Sequence, residues 1–389
     1  MAFKIPYGKQ FISEEDTKAV VDALHSDFLT QGPKITEFEK NFANYIGCKY
    51  AVAVANGTAA LHLPFLAIDL KPGDRIITSP ITFAASANAA RYCGAEIYFA
   101  DIDPTTYVIS IEAVKLLLQK HPKGFFKAIV PVDFTGFPVN LESLRELANE
   151  YGLFILEDAC HAPGGYFIDS KGIQQRCGNG VYAHAAAFSF HPVKHIAAGE
   201  GGMITTNDEK LYKKLMMLRT HGITKENLQY NFPDAEQQGL WYYEMQMLGY
   251  NYRITDIQAA LANSQLKRAD AGIEKRVKIA EKYRKAFANT AIKMQSDAPN
   301  YFNAYHLFVI EVENRKGLYD YLKEAGIFAQ IHYVPVHLMP YYKQFGWKEG
   351  DFMNAEKYYK GCISLPMYPT LTDEEQNYVI EKVISFITK

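Results

Sequence analysis

The chain has 389 residues, 48% hydrophobic and 22% charged, a composition that suits a packed globular protein with room for about two cores. Its 41 basic and 43 acidic residues leave a net charge of -2 without any basic tract, which argues against a nucleic-acid partner. Five cysteines lie scattered with no CxxC pair, so neither a disulfide framework nor a cysteine zinc site is expected.

The opening residues MAFKIPYGKQ lack the charged-then-apolar pattern of a secretion signal, and a cytoplasmic protein is expected. Seven short apolar runs follow: Tyr50–Ala55, Arg75–Ser79, Glu96–Ala100, Ala128–Val132, Leu153–Leu156, Ala186–Phe190 and Gly202–Thr206. Helix-length segments lie between several of them, such as Asn140–Tyr151 with Leu141, Leu144 and Leu147 at three-residue spacing. Strands alternating with helices predict crossover units and a mainly parallel sheet, whose strands read as continuous apolar runs because both faces are covered. The uncharged stretch Tyr50–Ile68 is interrupted by Asn56-Gly57-Thr58, His62 and Pro64, and no membrane span is expected there.

A long amphipathic stretch runs from Thr255 to about Asn289. The domain boundary is placed inside it, giving a large domain over 1–265, N-terminal arm included, and a smaller C-terminal α/β domain over 266–389. The second domain is predicted to hold a strand (His306–Val312), a helix (Arg315–Ala325), a strand (Ala329–Pro335) and a last helix (Asp373–Thr388).

Four features fall at predicted strand ends, where open parallel sheets bind ligands. Asn56-Gly57-Thr58-Ala59-Ala60 stands between a strand and a helix. Its Gly57 lets backbone approach a ligand, and Thr58 with the first helical N–H groups suits a phosphate; an ordinary capped Asn-Gly turn is the alternative. The run LFILEDACH ends in two carboxylates. Asp158 beside a pyridine-type nitrogen would keep that nitrogen protonated and make the ring an electron sink, whereas Asp158 with His161 reads otherwise as a metal pair or a strand-end cap. Ser189 and Lys194 lie in FSFHPVK, followed by Gly199-Glu200-Gly201-Gly202. A lysine in an apolar, glycine-flanked turn would lose solvation and keep more of the neutral amine that attacks an aldehyde; a solvated surface lysine is the alternative. Gly249 to Gln258 places the uncharged amide of Asn251 among aromatics, either as a phosphate contact or as a loop starting the long helix. No GxGxxG turn follows the first strand, which argues against a dinucleotide enzyme.

With these residues in view, the chain resembles the DegT/DnrJ/EryC1/StrS sugar aminotransferases, fold-type I enzymes dependent on pyridoxal phosphate. The matching segments are LTQGPKITEFEKNFANYIGCKYAVAVANGTAALHL, PITFAASANAARYCGA, ILEDACHAPGG, FSFHPVKHIAAGEGGMI, LRTHGI and GYNYRITDIQAAL, in family order over nearly the whole chain. The resemblance implies a seven-stranded, mainly parallel sheet and a Schiff base between Lys194 and the cofactor. Lys194, Asp158 and His161 are then the catalytic set, with Asp158 at the pyridine nitrogen and His161 by the ring oxygen. It further implies that Phe83 stacks on the ring, that Thr58, Ala59 and Ser189 hold the phosphate, and that Gly57 lies close to the substrate. Asn251 would reach the phosphate of a neighbouring subunit, making a homodimer with shared sites. Tyr7, Asp27, Phe28, Leu29, Thr30, Gly57, Ser189, His332, Tyr333, Val334 and Pro335 match segments lining the sugar-nucleotide site, and no metal is implied. The segments GLWYYEMQMLGYNYRITDIQ, SQLKR and IHYVPVHLMPYY resemble members that use L-glutamate, releasing 2-oxoglutarate, to aminate a UDP-linked keto sugar. Trp241-Tyr242-Tyr243 would either line the sugar site or pack a dimer contact.

Overall fold

The computed structural model describes residues 4–226, 228–229, 239 and 241–388; of the segments named above, Met1 to Phe3 and Leu240 lie outside the described residues. Its centre is a sheet of β1 (Tyr50–Val54), β2 (Arg75–Thr78), β3 (Glu96–Phe99), β4 (Ala128–Val130), β5 (Phe154–Asp158), β6 (Ala185–Ser189) and β7 (Gly202–Thr206). The order is β1-β7-β6-β5-β4-β2-β3. The strands run parallel except β7, which is antiparallel to both β1 and β6. Alternate residues face opposite layers: Val52 and Val54 enter one core, Ala51 and Ala53 the other, where Phe188 and Met203 join them. Coverage on both faces is why all seven strands read as apolar runs in the sequence.

The uncharged stretch after residue 50 divides into β1 and α1 (Gly57–Ala67), and among the described residues no helix is long and apolar enough to cross a membrane. Helix α2 (Ala85–Tyr92) follows β2. The long amphipathic stretch is two helices, α3 (Asp256–Leu266) and α4 (Ala269–Phe287). Helix α3 starts on a capping box formed by Thr255 and Gln258, the kind of start those residues suggest.

A three-stranded antiparallel sheet, ordered β8 (Lys293–Met294), β9 (Phe308–Glu311) and β10 (Cys362–Leu365), backs onto α4, α5 (Arg315–Glu324) and α6 (Asp373–Ile387) in a third core. Ile5 belongs to that core, and Ile5–Pro6 pairs in parallel with Ile327–Phe328. The expected strand Ala329–Pro335 does not form. That segment makes a single bridge, Gln330 to Ser364, and then runs on as loop. Its alternation of apolar and polar residues reflects burial against the cleft described next, and the strand beside β9 is supplied by Cys362–Leu365.

Candidate active site

A cleft of about 730 Å³ opens where the parallel strands end, closed from above by the loop 330–334 and by His306 at the foot of β9. Strand β5 delivers both carboxylates of its C-terminal pair, and strand alternation separates them. Asp158 faces the cleft: its Oδ2 accepts from Ser86 Oγ at 2.6 Å and its Oδ1 from the Cys160 amide at 3.2 Å. Glu157 turns the other way and accepts from the Gly178 amide at 2.9 and 3.0 Å. It lies with Asp133 and Cys177, the one grouping of metal-ligand type among the described residues. Burial pushes the Glu157 carboxyl well up and that of Asp133 to about 6. Asp158 and His161 are not part of any such grouping.

Lys194 sits in the turn after β6, its amide donating to the His191 carbonyl at 2.9 Å. Burial lowers its ammonium from the ordinary lysine value to about 8; Cys160 and Asp158 oppose the shift and the Arg276 charge adds to it. Nζ lies 3.3 Å from His306 Nε2. His161 is buried, with Nε2 3.3 Å from the Tyr333 hydroxyl and its ring 4.3 Å from that of His306. Burial, then the Lys194 charge, holds His161 well below the usual imidazole range, so this ring is neutral.

The N-terminus of α1 also lines the cleft, and its free amides suit an anion. Asn56 caps α1 by accepting from the Ala59 amide at 2.9 Å, which leaves the first-turn N–H groups of Gly57 and Thr58 without intrahelical partners at the cleft wall. Gly57 is required here: a Cβ would come within 2.8 Å of Ser189 Cβ and 3.1 Å of its Oγ. The bare glycine lets helix end and hydroxyl approach from two sides. Phe83 stands 61% exposed at the mouth, its ring 6.0 Å from that of Tyr333. An amine held partly neutral, a carboxylate fixed by two donors and a helix-end anion seat within one cleft fit an aldehyde-bearing heterocycle with a phosphate arm.

Of the residues singled out in the sequence, Gly57, Thr58, Phe83, Asp158, His161, Ser189, Lys194, Tyr7, His332, Tyr333 and Val334 line this cleft. Ala59 is buried behind it with its amide already used by Asn56, and Pro335 is buried outside the lining. Asp27, Phe28, Leu29, Thr30 and Asn251 are exposed and not brought into the cleft of their own chain; Thr30 and Asn251 are engaged instead in bridges to Thr255 and Thr220. Trp241 and Tyr243 are also exposed and outside it. Sequence reasoning passed over Ser86 and His306. Ser86 lay inside the quoted PITFAASANAARYCGA segment, whereas His306 looked like the first residue of a strand.

The sequence profile of the DegT/DnrJ/EryC1/StrS aminotransferase family matches residues 10–384. The spore coat polysaccharide biosynthesis protein SpsC of Bacillus subtilis is 40% identical over 97% of this chain and 96% of its own. A UDP-4-amino-4,6-dideoxy-N-acetyl-beta-L-altrosamine transaminase of Campylobacter jejuni is 34% identical over 99% of this chain and 98% of its own. Among solved structures, Spr1654 of Streptococcus pneumoniae, assigned as a sugar aminotransferase and determined in its PLP-form, superposes with a TM-score of 0.88 at 28% identity, over 99% of this chain and 98% of that one.

Proposed function

This chain belongs to the DegT/DnrJ/EryC1/StrS aminotransferase family and is a sugar aminotransferase with pyridoxal phosphate as cofactor; from that premise we propose the reaction and the residues that carry it. The amino group of L-glutamate moves to C4 of a UDP-linked 4-keto-6-deoxy-N-acetyl hexose, giving UDP-4-amino-4,6-dideoxy-N-acetyl-β-L-altrosamine and 2-oxoglutarate. The half-buried Lys194, its amine in one cleft with Asp158, is the observation that carries the assignment of roles. The substrate rests on likeness to the Campylobacter transaminase across 99% of the chain.

When bound, pyridoxal phosphate supplies an aldehyde carbon that takes up an amine and a protonated ring that accepts the electron pair left when a proton departs. The chain's own residues do the rest. Lys194 Nζ takes the proton from the donor carbon and returns it at the neighbouring position, a transfer made short by its fixed place in the cleft. Asp158 keeps the pyridine nitrogen protonated, with Ser86 and the Cys160 amide orienting its two oxygens. Ser189, Thr58 and the first amides of α1 would hold the cofactor's phosphate, Phe83 would cover its ring, and His161 would serve it as a neutral hydrogen-bonding group. Tyr7 and His332 through Val334 face the sugar nucleotide. Asn251 of the partner subunit, with the stretch from Asp27 to Thr30 of the partner subunit, completes the rim in a homodimer.

A second reading, another nucleotide sugar as acceptor, is favoured by the 40% identity to a spore coat polysaccharide protein. A panel decides between them: protein, glutamate and UDP-, GDP- or dTDP-linked keto sugars, with aminated product followed by mass. Turnover of the UDP-linked 4-keto sugar is expected; turnover confined to GDP- or dTDP-sugars overturns the substrate assignment and leaves the family standing.

A further inference from the structure

Lys194 points at His306, a residue for which the reaction described above has no role. Nζ and His306 Nε2 are 3.3 Å apart, and the imidazole is 4% exposed, packed 4.3 Å from the ring of His161 and 5.9 Å from that of His195. The peptide carrying His306 is pinned from several directions. Arg276 Nη1, on α4, donates to the carbonyls of Tyr305 and His306 at 3.2 Å and of Met367 at 2.9 Å. The Ala304 amide donates to the Gly136 carbonyl at 2.9 Å, and the Tyr305 amide to Asn303 Oδ1 at 2.7 Å. Tyr305 is held at φ +49°, a left-handed conformation that a tyrosine adopts at some cost and that persists where its surroundings impose it. So much fixing of one imidazole, aimed at the reactive amine from the opposite domain, is more than packing requires.

We propose that His306 is a positioning residue for the aminotransferase reaction: its Nε2 receives the Lys194 amine whenever that amine is not bonded to the cofactor, and so sets where Lys194 waits and how readily it releases its proton. The proposal rests on the reading of Lys194 as the reactive amine. The chemistry suits the task. A neutral imidazole with its lone pair on Nε2 accepts from an ammonium; in its other tautomer it donates to a neutral amine, so one contact serves both states of the lysine. His306 is kept neutral by burial first, then by the charges of Lys194 and Arg276. The other titratable groups around this pair are Asp158, Cys160, His161, His195, His332 and Tyr333. Burial acts against the charged form of Cys160, of all three histidines and of Tyr333, leaving Asp158 as the anion that opposes Arg276.

The test is the pH dependence of Lys194 acetylation by trace acetic anhydride in the full-length chain stripped of cofactor, read by peptide mass spectrometry. The charge-assisted bond from the ammonium is the stronger of the two states, so removing its acceptor in His306→Leu should lower the midpoint by about one pH unit from the wild-type value near 8. His306→Gln, whose amide oxygen can accept in the same place, should restore the wild-type midpoint. A His306→Leu protein with wild-type near-UV circular dichroism and an unchanged or raised midpoint overturns the proposal. If the leucine variant does not fold, His306→Asn, whose shorter amide falls short of Nζ, takes its place with the same two outcomes. A wild-type midpoint at the ordinary lysine value strikes at the Lys194 reading itself, and is seen before any variant is compared.

Discussion

The floor of the cleft and its rim are built on opposite plans. On the floor, Asp158, His161 and His306 are buried and Lys194 is half-buried, and each is held by a neighbour from a different element. At the rim Phe83 is 61% exposed, and beyond the cleft lining Phe28, Trp241, Met245 and Leu248 are large apolar side chains between 51% and 76% exposed; Asn251 closely follows Leu248 in sequence without reaching its own cleft. One chain is sufficient to tune an amine and fix a carboxylate. It leaves these apolar side chains in the open, the kind of surface that a second subunit covers. On the proposed reading, the chemistry belongs to one chain and the exposed apolar side chains belong to the contact between subunits.

Substitutions on the two sides should therefore fail differently. The largest effect is expected from Asp158→Asn, which removes the charge that keeps the ring nitrogen protonated: kcat should fall by about 10³-fold with little change in substrate KM. A rise in KM with kcat unchanged would move Asp158 from chemistry to binding. Gly57→Ala comes next. The added methyl meets Ser189 at 2.8 Å, and cofactor affinity measured by equilibrium dialysis should weaken by about ten- to a hundredfold. Unchanged affinity would show that the approach of α1 to Ser189 is not the phosphate seat.

Those two residues were readable in the chain before any fold was known, because each belongs to a strand end with its own local signature. The seven strands were legible for a similar reason: double-sided burial leaves an apolar run whatever the partner. What could not be read is whatever depends on who does the burying. Ala329 to Pro335 carried a strand-like alternation, but its covered side faces the cleft and not a sheet neighbour. Cys362–Leu365, a true strand, is four residues caught between a helix and Pro366 and has no room to display a period. His306 and Ser86 act across 112 and 72 residues of sequence, on Lys194 and Asp158, and a side chain's partner at that range leaves no local mark.

The exposed apolar surface gives the third prediction. Leu248→Asp places a charge on the most exposed of the large apolar side chains and should weaken self-association by roughly 30-fold in sedimentation, while a folded subunit keeps its cofactor-reactive lysine. An unaltered association constant would break the comparison, since this surface would then be open to solvent in the working protein. Ser86→Ala is the mildest. Loss of the 2.6 Å bond leaves Asp158 with its Cys160 donor, and kcat should drop by about tenfold.

The account depends most on Lys194 being the amine that bonds the cofactor. Borohydride reduction of the cofactor-loaded protein, followed by proteolysis and peptide mass mapping, measures this directly. The expected result is a single phosphopyridoxyl adduct on Lys194, absent from Lys194→Ala. An adduct on another lysine, or a loaded protein from which all cofactor washes away after reduction, would contradict the account.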